Sequence, residues 1–308
     1  MLPRRGVVLA ALAVTAGVLA TACSSTSAAT SPGGQVVAVG AENEYANVIG
    51  QIGGTYVRVS SIESNPNTDP HTFEASPSVA NAVSTAQLVV QNGIGYDTYM
   101  NKIEAAAPSN TRKVIVVQNL LGLPDSTPNP HLWYSPRTMP AVAKAVAADL
   151  SKLQPAHAKY FAANLSTFDA SLQPWYQAIA KFKAAYPGTP VAVTEPVGDY
   201  MLQAVGAKIL TPFTLQADIM NGVDPSPQDV SLEDSLFSSH KVKVFVYNQQ
   251  VTDSLTTSFL SQAKRYGIPV VGVYETMPVP GYGYQSWMLA EVRALTKAVA
   301  DKTSTQKL

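Results

Sequence analysis

Apolar residues between positions 35 and 153 follow two alternating spacings. Short apolar runs at 35–40, 56–62, 87–90 and 113–117 predict strands. Between these runs, apolar residues three and four positions apart predict helices, the first of which ends at Gly53-Gly54. Regular alternation of strands and helices predicts a mainly parallel sheet with helices on both faces. This region is therefore predicted to form an N-terminal α/β lobe.

The same alternation returns between positions 188 and 308. Apolar runs at 191–193, 242–247 and 270–274 predict strands, and helical spacing follows each of them. We therefore predict a second, C-terminal α/β lobe.

The segment 154–187 separates the two lobes and carries the longest helical pattern in the chain. Its apolar residues recur at alternating steps of four and three: Phe161, Leu165, Phe168, Leu172, Trp175, Ile179, Phe182 and Tyr186. A helix of this length would extend about 45 Å, which is longer than one small domain requires. Pro174 is expected to kink or interrupt it. We interpret the segment as a rigid linking helix that lies across both lobes.

The first 34 residues predict an exported lipoprotein. Arg4-Arg5 precede an apolar run, 7–20, that is too short to span a membrane comfortably and is typical of a signal peptide. Cys23, the only cysteine, follows Thr21-Ala22 as in a bacterial lipobox, although Ala20 stands where leucine is usual. We predict a signal peptide at 1–22, palmitoylation of Cys23, and a flexible tether at 23–34 that holds the protein on the extracytoplasmic side of the cell membrane. A secretory signal with an incidental cysteine is the alternative.

The charge balance argues against a nucleic-acid partner. Lysine and arginine together number 21, as do aspartate and glutamate, so the formal net charge is zero. The sequence has no basic patch and no interleaving of basic and aromatic residues.

Two histidines occupy matching positions in the N-terminal lobe. His71 ends the motif Asp69-Pro70-His71 and His131 ends Asn129-Pro130-His131, each between a predicted strand and a helix that Ser76-Pro77 or Ser135-Pro136 is predicted to open. Histidine on a stiff loop is a common ligand of transition metals. A single such histidine is more typical of an ordinary loop residue, but the matched pair indicates a metal site.

Two glutamates occupy comparable positions in the C-terminal lobe. Glu195 follows the strand at 191–193, and Glu275 follows the strand at 270–274. Ligands of open α/β sheets bind beyond the carboxyl ends of the strands. Either glutamate alone is more typical of a solvated strand end. Together with the two histidines, the two carboxylates could be neutralised by a divalent cation, provided that the lobes face each other across a cleft.

Several motifs resemble those of the solute-binding lipoproteins of zinc/manganese ABC importers, the metal-binding group called cluster A-I. The most specific is the pairing of Asp69-Pro70-His71 with Pro130-His131-Leu132-Trp133. Supporting motifs include Glu42-Asn43-Glu44-Tyr45, Ile52-Gly53-Gly54, Gly93-Ile94-Gly95-Tyr96-Asp97 and Pro225-Ser226-Pro227. The resemblance covers nearly everything after Gly34.

This resemblance implies two (β/α) lobes joined by a rigid helix, with the metal in the interlobe cleft on His71, His131, Glu195 and Glu275. It implies a monomer that is not an enzyme, captures Zn²⁺ or Mn²⁺ and delivers it to an ABC permease. Zinc-binding members usually have a third histidine where this chain has Glu195, and the fourth ligand is usually aspartate rather than Glu275. Oxygen-rich coordination favours Mn²⁺ or Fe²⁺, whereas intrinsic affinity favours zinc over manganese.

Other functions predict different sites. A metallohydrolase would keep an open coordination position and use a base such as Asp69 or Glu74. A surface adhesin, or a lipoprotein that binds an organic solute, would have a wide pocket and bind without a metal.

Overall fold

The computed structural model describes residues 34–278 and 280–308. The predicted signal peptide, the lipidation site at Cys23 and nearly all of the tether lie outside these residues. Among the helices that are described, none is long and apolar enough to cross a membrane.

The N-terminal lobe is built on a four-stranded parallel sheet with the strand order β2-β1-β3-β4. Its strands are β1 (Val36–Glu42), β2 (Val57–Glu63), β3 (Leu88–Gln91) and β4 (Lys113–Val116). Its helices are α1 (Asn43–Gly53), α2 (Pro77–Thr85), α3 (Thr98–Ala106), α4 (Val117–Leu120) and α5 (Thr138–Leu153). Alternate residues of β1 point to opposite faces: Ala38 packs with the α1 and α5 side chains, and Val39 packs with those of α2 and α3.

The linking segment consists of α6 (Ala158–Ser171) and α7 (Gln173–Ala185), which are separated at the buried residue Leu172. Helix α6 packs against α1 and α5, whereas α7 packs against α12 of the C-terminal lobe. Pro174 lies in the first turn of α7, where the lack of a backbone N–H is tolerated. The interruption predicted from Pro174 is therefore present. The proposed domain boundaries remain predictions.

The C-terminal lobe repeats the sheet topology, with the order β6-β5-β7-β8 and all strands parallel. Its strands are β5 (Pro190–Val193), β6 (Lys208–Ile209), β7 (Val244–Asn248) and β8 (Val270–Val273). Its helices are α8 (Asp199–Ala204), α9 (Phe213–Met220), α10 (Pro227–Ser238), α11 (Ser254–Arg265) and α12 (Tyr284–Asp301). The predicted α/β architecture with two parallel-sheet lobes is confirmed.

One expected helix start is wrong. Residues 132–134 form a 3-10 turn, which the Ser135 N–H closes by donating to the Leu132 carbonyl at 3.0 Å, and α5 begins only at Thr138. Ser135 therefore ends one turn instead of capping the next helix. Ser76, by contrast, caps α2 as predicted, since its hydroxyl accepts a hydrogen bond from the Val79 N–H at 3.4 Å.

A single apolar core passes through both lobes and the linking segment. It includes Tyr45 and Trp133 from the N-terminal lobe, Trp175 from α7, and Trp287 and Met288 from α12. Hydrogen bonds also cross between the lobes. The Tyr284 hydroxyl donates to the Trp133 carbonyl at 2.7 Å, and the Asn43 side chain bonds both the N–H and the carbonyl of Met277 at 2.9 Å. These contacts fix the relative position of the lobes next to their shared cleft.

Glu291 of α12 lies fully buried in this core. Its Oε1 accepts hydrogen bonds from Trp287 Nε1 at 3.0 Å and from the Tyr134 hydroxyl at 3.3 Å. Burial raises the pKa of Glu291 to about 8, and these two hydrogen bonds offset only part of the rise. The carboxyl group therefore keeps its proton at neutral pH.

We predict that Glu291→Gln flattens the pH dependence of stability. Because folding raises the pKa of Glu291, its contribution to stability is fully present below the ordinary pKa of about 4.5 and is lost as the pH rises through about 8. Glutamine keeps the shape and cannot ionise. Between about pH 6 and pH 9, urea unfolding should show wild type losing roughly 2 to 3 kcal/mol more than the variant.

The control is Asp301→Asn at the exposed end of the same helix, which should retain the wild-type pH dependence. Equal pH slopes for wild type and Glu291→Gln would contradict the assignment.

Candidate metal centre

The loop after β2 holds His71 in a short 3-10 turn, Pro70–Thr72. The Asp69 carboxylate accepts a hydrogen bond from the His71 N–H at 2.8 Å, and the Thr72 hydroxyl donates to the Asp69 carbonyl at 2.8 Å. Proline fixes φ between these contacts. These contacts fix the backbone that carries the imidazole. The His71 side chain is 22% accessible to solvent.

The loop that carries His131 uses the same arrangement in a fully buried position. Asn129 Oδ1 accepts hydrogen bonds from the His131 N–H and from ring atom Nδ1, both at 2.9 Å. Asn129 Nδ2 donates to the Pro196 carbonyl of the other lobe at 2.6 Å, which fixes the orientation of the amide. His131 is 0% exposed.

The two histidines meet at one carboxylate oxygen. Glu275 Oε2 lies 3.1 Å from His71 Nε2, 3.1 Å from His131 Nε2 and 3.1 Å from the Tyr96 hydroxyl. The candidate ligand atoms of His71, His131 and Glu275 all lie within 4.8 Å of one another. The structure thus brings three of the four predicted ligands together across the interlobe cleft.

Glu195, the fourth predicted ligand, is not a member of this group. Its Oε1 accepts a hydrogen bond from Asn248 Nδ2 at 3.2 Å, and the same nitrogen donates to Glu275 Oε1 at 2.8 Å. Its Oε2 is buried and has no hydrogen-bond partner among the described residues. Glu195 therefore lies beside Glu275, with the Asn248 amide bridging the two carboxylates.

The hydrogen bond at Nδ1 of His131 determines the tautomer of the ring, and therefore whether Nε2 carries a proton or a lone pair. Because Asn129 presents its oxygen, Nδ1 must carry the proton. A neutral ring then directs the unprotonated Nε2 towards Glu275 Oε2 at 3.1 Å. Two lone pairs at that distance repel each other unless a proton or a metal cation lies near them. The buried centre therefore needs a proton or a metal cation between these two atoms.

The pKa shifts describe the same requirement. Burial lowers the pKa of His131, which disfavours its charged form. Burial also lowers the pKa of His71, but its hydrogen bond to Glu275 and that residue's charge outweigh the effect and raise it overall. Burial alone would raise the pKa of Glu275, yet the two histidines lower it below its ordinary value.

Glu195 responds in the opposite way to Glu275. Burial, and then the negative charge of Glu275, raise the pKa of Glu195 well above its ordinary value. The pKa values of the two neighbouring glutamates are therefore shifted in opposite directions, and Glu275 ionises more readily than Glu195.

The sequence did not predict a role at the centre for the amides of Asn129, Asn248 and Gln250 or for the Tyr96 hydroxyl. Gln250 Oε1 accepts hydrogen bonds from the backbone N–H of Glu275 at 2.7 Å and from that of Thr276 at 2.9 Å. Gln250 Nε2 donates to the Thr68 carbonyl at 2.7 Å. It thereby connects the Glu275 loop to the His71 loop. The spacing that Asn129 shares with Asp69 was a usable signal, whereas nothing in the sequence marked Gln250.

The two bases considered for a hydrolase lie to one side of the centre. Asp69 and Glu74 line a cavity of about 380 Å³, together with Glu63 and Thr276. Neither belongs to the group formed by the histidines and Glu275. Asp69 is also engaged as the cap of the His71 turn.

The family model described as "zinc-uptake complex component A periplasmic", ZnuA, matches residues 39–298. The chain belongs to this family. The resemblance inferred from the Asx-Pro-His motifs is therefore confirmed, and the family consists of extracytoplasmic substrate-binding proteins rather than enzymes.

Individual relatives are more distant. The manganese-binding lipoprotein MntA of Bacillus subtilis is 26% identical over 176 residues, which is 55% of this chain and 56% of MntA. The chain thus matches little more than half the length of this curated relative.

Solved structures share the fold over most of the chain. The periplasmic zinc-binding protein TroA of Treponema pallidum has a TM-score of 0.73 at 16% identity and covers 88% of this chain and 100% of its own. The Mn-bound periplasmic metal-binding protein of Candidatus Liberibacter asiaticus has a TM-score of 0.70 at 18% identity, covering 86% and 100%. Both likenesses establish the two-lobed fold.

Proposed function

We propose that this protein captures a divalent transition metal outside the cytoplasmic membrane and delivers it to the permease of an ABC importer. Zn²⁺ and Mn²⁺ are the principal candidates for the transported ion, and Fe²⁺ is a third. The protein acts as a monomer and as a carrier, with His71, His131, Glu195 and Glu275 as the metal ligands.

The observation that carries this proposal is the convergence of two imidazole nitrogens on one buried carboxylate oxygen. The Nε2 atoms of His71 and His131 each lie 3.1 Å from Glu275 Oε2. Transition metals prefer such mixed nitrogen and oxygen donors. A divalent cation placed among these atoms would remove the repulsion between the His131 lone pair and the carboxylate.

Glu195 completes the ligand set in this proposal. Its unpartnered Oε2 is buried beside Glu275, where a carboxylate would be costly without a cation. A bound divalent ion would favour the ionised form of Glu195 and draw this oxygen into coordination. Only a small local movement is needed, because the Asn248 amide already holds the two glutamates next to each other.

The donor set and the intrinsic affinity order favour different metals. Two imidazoles and two carboxylates supply more oxygen than a three-histidine site, which favours Mn²⁺ or Fe²⁺, but the intrinsic affinity order favours Zn²⁺ over Mn²⁺. Relatives carry both names, since MntA is called manganese-binding and TroA zinc-binding.

We test the metal site first with His71→Ala. Purified chain from Gln35 onward, stripped with chelator, should bind one Zn²⁺ or Mn²⁺ by isothermal titration. Loss of one imidazole should weaken binding by at least about 100-fold, since even residues that only support ligands contribute 10- to 100-fold. Competition between the two ions will identify the preferred one.

His240→Asn is the control, because His240 is exposed, lies far along the sequence from the site and has a φ of 50°, which asparagine tolerates. It should bind metal as wild type does. Absence of stoichiometric binding of either ion to wild type would refute the proposal. Chelator-sensitive hydrolysis abolished by Glu74→Gln would instead favour a hydrolase, and metal-independent binding of an organic solute or a host surface would favour the other alternative.

A second prediction concerns the residue that orients His131. Asn129→Ala removes the acceptor of His131 Nδ1, so the ring is free to rotate and to exchange tautomers. We expect metal affinity to fall about 10- to 100-fold while one-to-one stoichiometry is retained. The measurement is the same titration, and circular dichroism would verify that the variant is folded. Wild-type affinity in a folded variant would contradict the role of Asn129.

We also propose that Cys23 is lipidated and anchors the protein to the outer side of the membrane. The sequence around Cys23 resembles a lipobox, and MntA is named a lipoprotein. Expressed in a bacterium that processes lipoproteins, the full chain should partition into the detergent phase of Triton X-114. Cys23→Ser should shift it to the aqueous phase, whereas Ser24→Ala should not. If the Cys23→Ser variant is still recovered in the detergent phase, lipidation of Cys23 is contradicted.

A further inference from the structure

Asn248, the last residue of β7, occupies the position between the two glutamates. It is 0% exposed. Its Nδ2 donates to Glu275 Oε1 at 2.8 Å and to Glu195 Oε1 at 3.2 Å. An asparagine amide nitrogen has two protons, so both are used on these carboxylates.

The orientation of this amide is fixed by its own oxygen. Asn248 Oδ1 accepts a hydrogen bond from the Gln250 N–H at 3.0 Å, and the Asn248 N–H donates to the Thr194 hydroxyl at 2.9 Å. A flipped amide would place its nitrogen against the Gln250 donor. The NH₂ group therefore faces the carboxylates.

The Asn248 amide is bonded to only one oxygen of each glutamate. On Glu275, Oε1 is hydrogen bonded to Asn248, while Oε2 faces both histidines. On Glu195, Oε1 is hydrogen bonded to Asn248, while Oε2 has no partner among the described residues. A carboxylate that binds a metal through both oxygens would have to turn its Oε1 away from this buried donor.

We propose that Asn248 determines metal specificity by holding Glu195 and Glu275 as single-oxygen ligands. This inference rests on the proposed function, since it takes both glutamates as ligands. Two imidazole nitrogens and one oxygen from each glutamate make four donors, the number that Zn²⁺ adopts in tetrahedral sites. Mn²⁺ favours octahedral coordination rich in oxygen, which this chain could approach only with two-oxygen carboxylates or added water.

Asn248 is thus a positioning residue that acts through the glutamates. Asn248 ends β7, which lies between β5 and β8 in the sheet. Glu195 follows β5 and Glu275 follows β8, so each glutamate lies one strand away from Asn248. A side chain at the end of β7 can therefore contact both Glu195 and Glu275, whereas a side chain at the end of β5 or β8 lies next to only one of them.

The test compares coordination and selectivity. Crystal structures of wild type loaded with Zn²⁺ should show one oxygen from each glutamate on the metal and Asn248 still bonded to both Oε1 atoms. Asn248→Ala removes the donor, and both carboxylates become free to bind through two oxygens. We expect the ratio of the Kd for Mn²⁺ to the Kd for Zn²⁺ to fall by about tenfold, within the range seen for residues that support metal ligands.

Asn164→Ala is the matched control, because this amide on α6 donates to the Ile52 carbonyl at 2.9 Å outside the site. It should leave the Kd ratio unchanged. An unchanged ratio in folded Asn248→Ala would overturn the inference. If that variant does not fold, the wild-type crystals still decide, since two-oxygen binding by either glutamate overturns it.

These outcomes are distinct from failure of the proposed function. Wild type that binds no metal would refute both proposals. Wild type that binds metal through the histidines, with both glutamates on the ion but with two oxygens from either one, would refute only the role of Asn248.

Discussion

The structure depends on one buried negative charge at the boundary between the lobes. Glu275 comes from the C-terminal lobe, whereas the two histidines that it contacts come from the N-terminal lobe. An isolated carboxylate at 0% exposure would be strongly destabilised, so the lobes must present positive charge or strong donors to it. His71, His131 and the Tyr96 hydroxyl all contact Glu275 Oε2. The amides of Asn248 and Gln250 hold the rest of Glu275 in position.

The shared core explains how these groups keep their positions. Because the apolar cluster runs without interruption from the N-terminal lobe through α6 and α7 to α12, the lobes are not joined by a flexible hinge of exposed residues. Asn43 and Tyr284 add hydrogen bonds across the same boundary. These contacts hold the two lobes in one relative position beside the cleft.

The sequence predicted the fold well because strand and helix spacings are local properties. It also marked His71, His131, Glu195 and Glu275 as candidate ligands, because each follows a recognisable strand or turn motif, and the structure brings His71, His131 and Glu275 together. It did not predict that Asn129, Asn248 and Gln250 organise these residues. Side-chain amides carry no periodic signal, and their partners lie tens of residues away in the chain, so only the three-dimensional register of the strands reveals them. The start of α5 was predicted wrongly because Ser135 closes the preceding 3-10 turn, and the helix begins only at Thr138.

Other buried carboxyl groups lie at the strand ends of the N-terminal sheet. Comparing them with Glu275 shows why the negative charge lies on Glu275. Glu42 and Glu63 are paired in register at the ends of β1 and β2, and the Glu42 carboxyl has no hydrogen-bond partner among the described residues. Burial raises the pKa of Glu63 to about 8 and raises that of Glu42 well above its ordinary value. Glu63 is therefore largely protonated near pH 7. Glu275 differs because two imidazoles and a phenol reach it, so the negative charge is concentrated on the single oxygen where a cation can be held by both lobes.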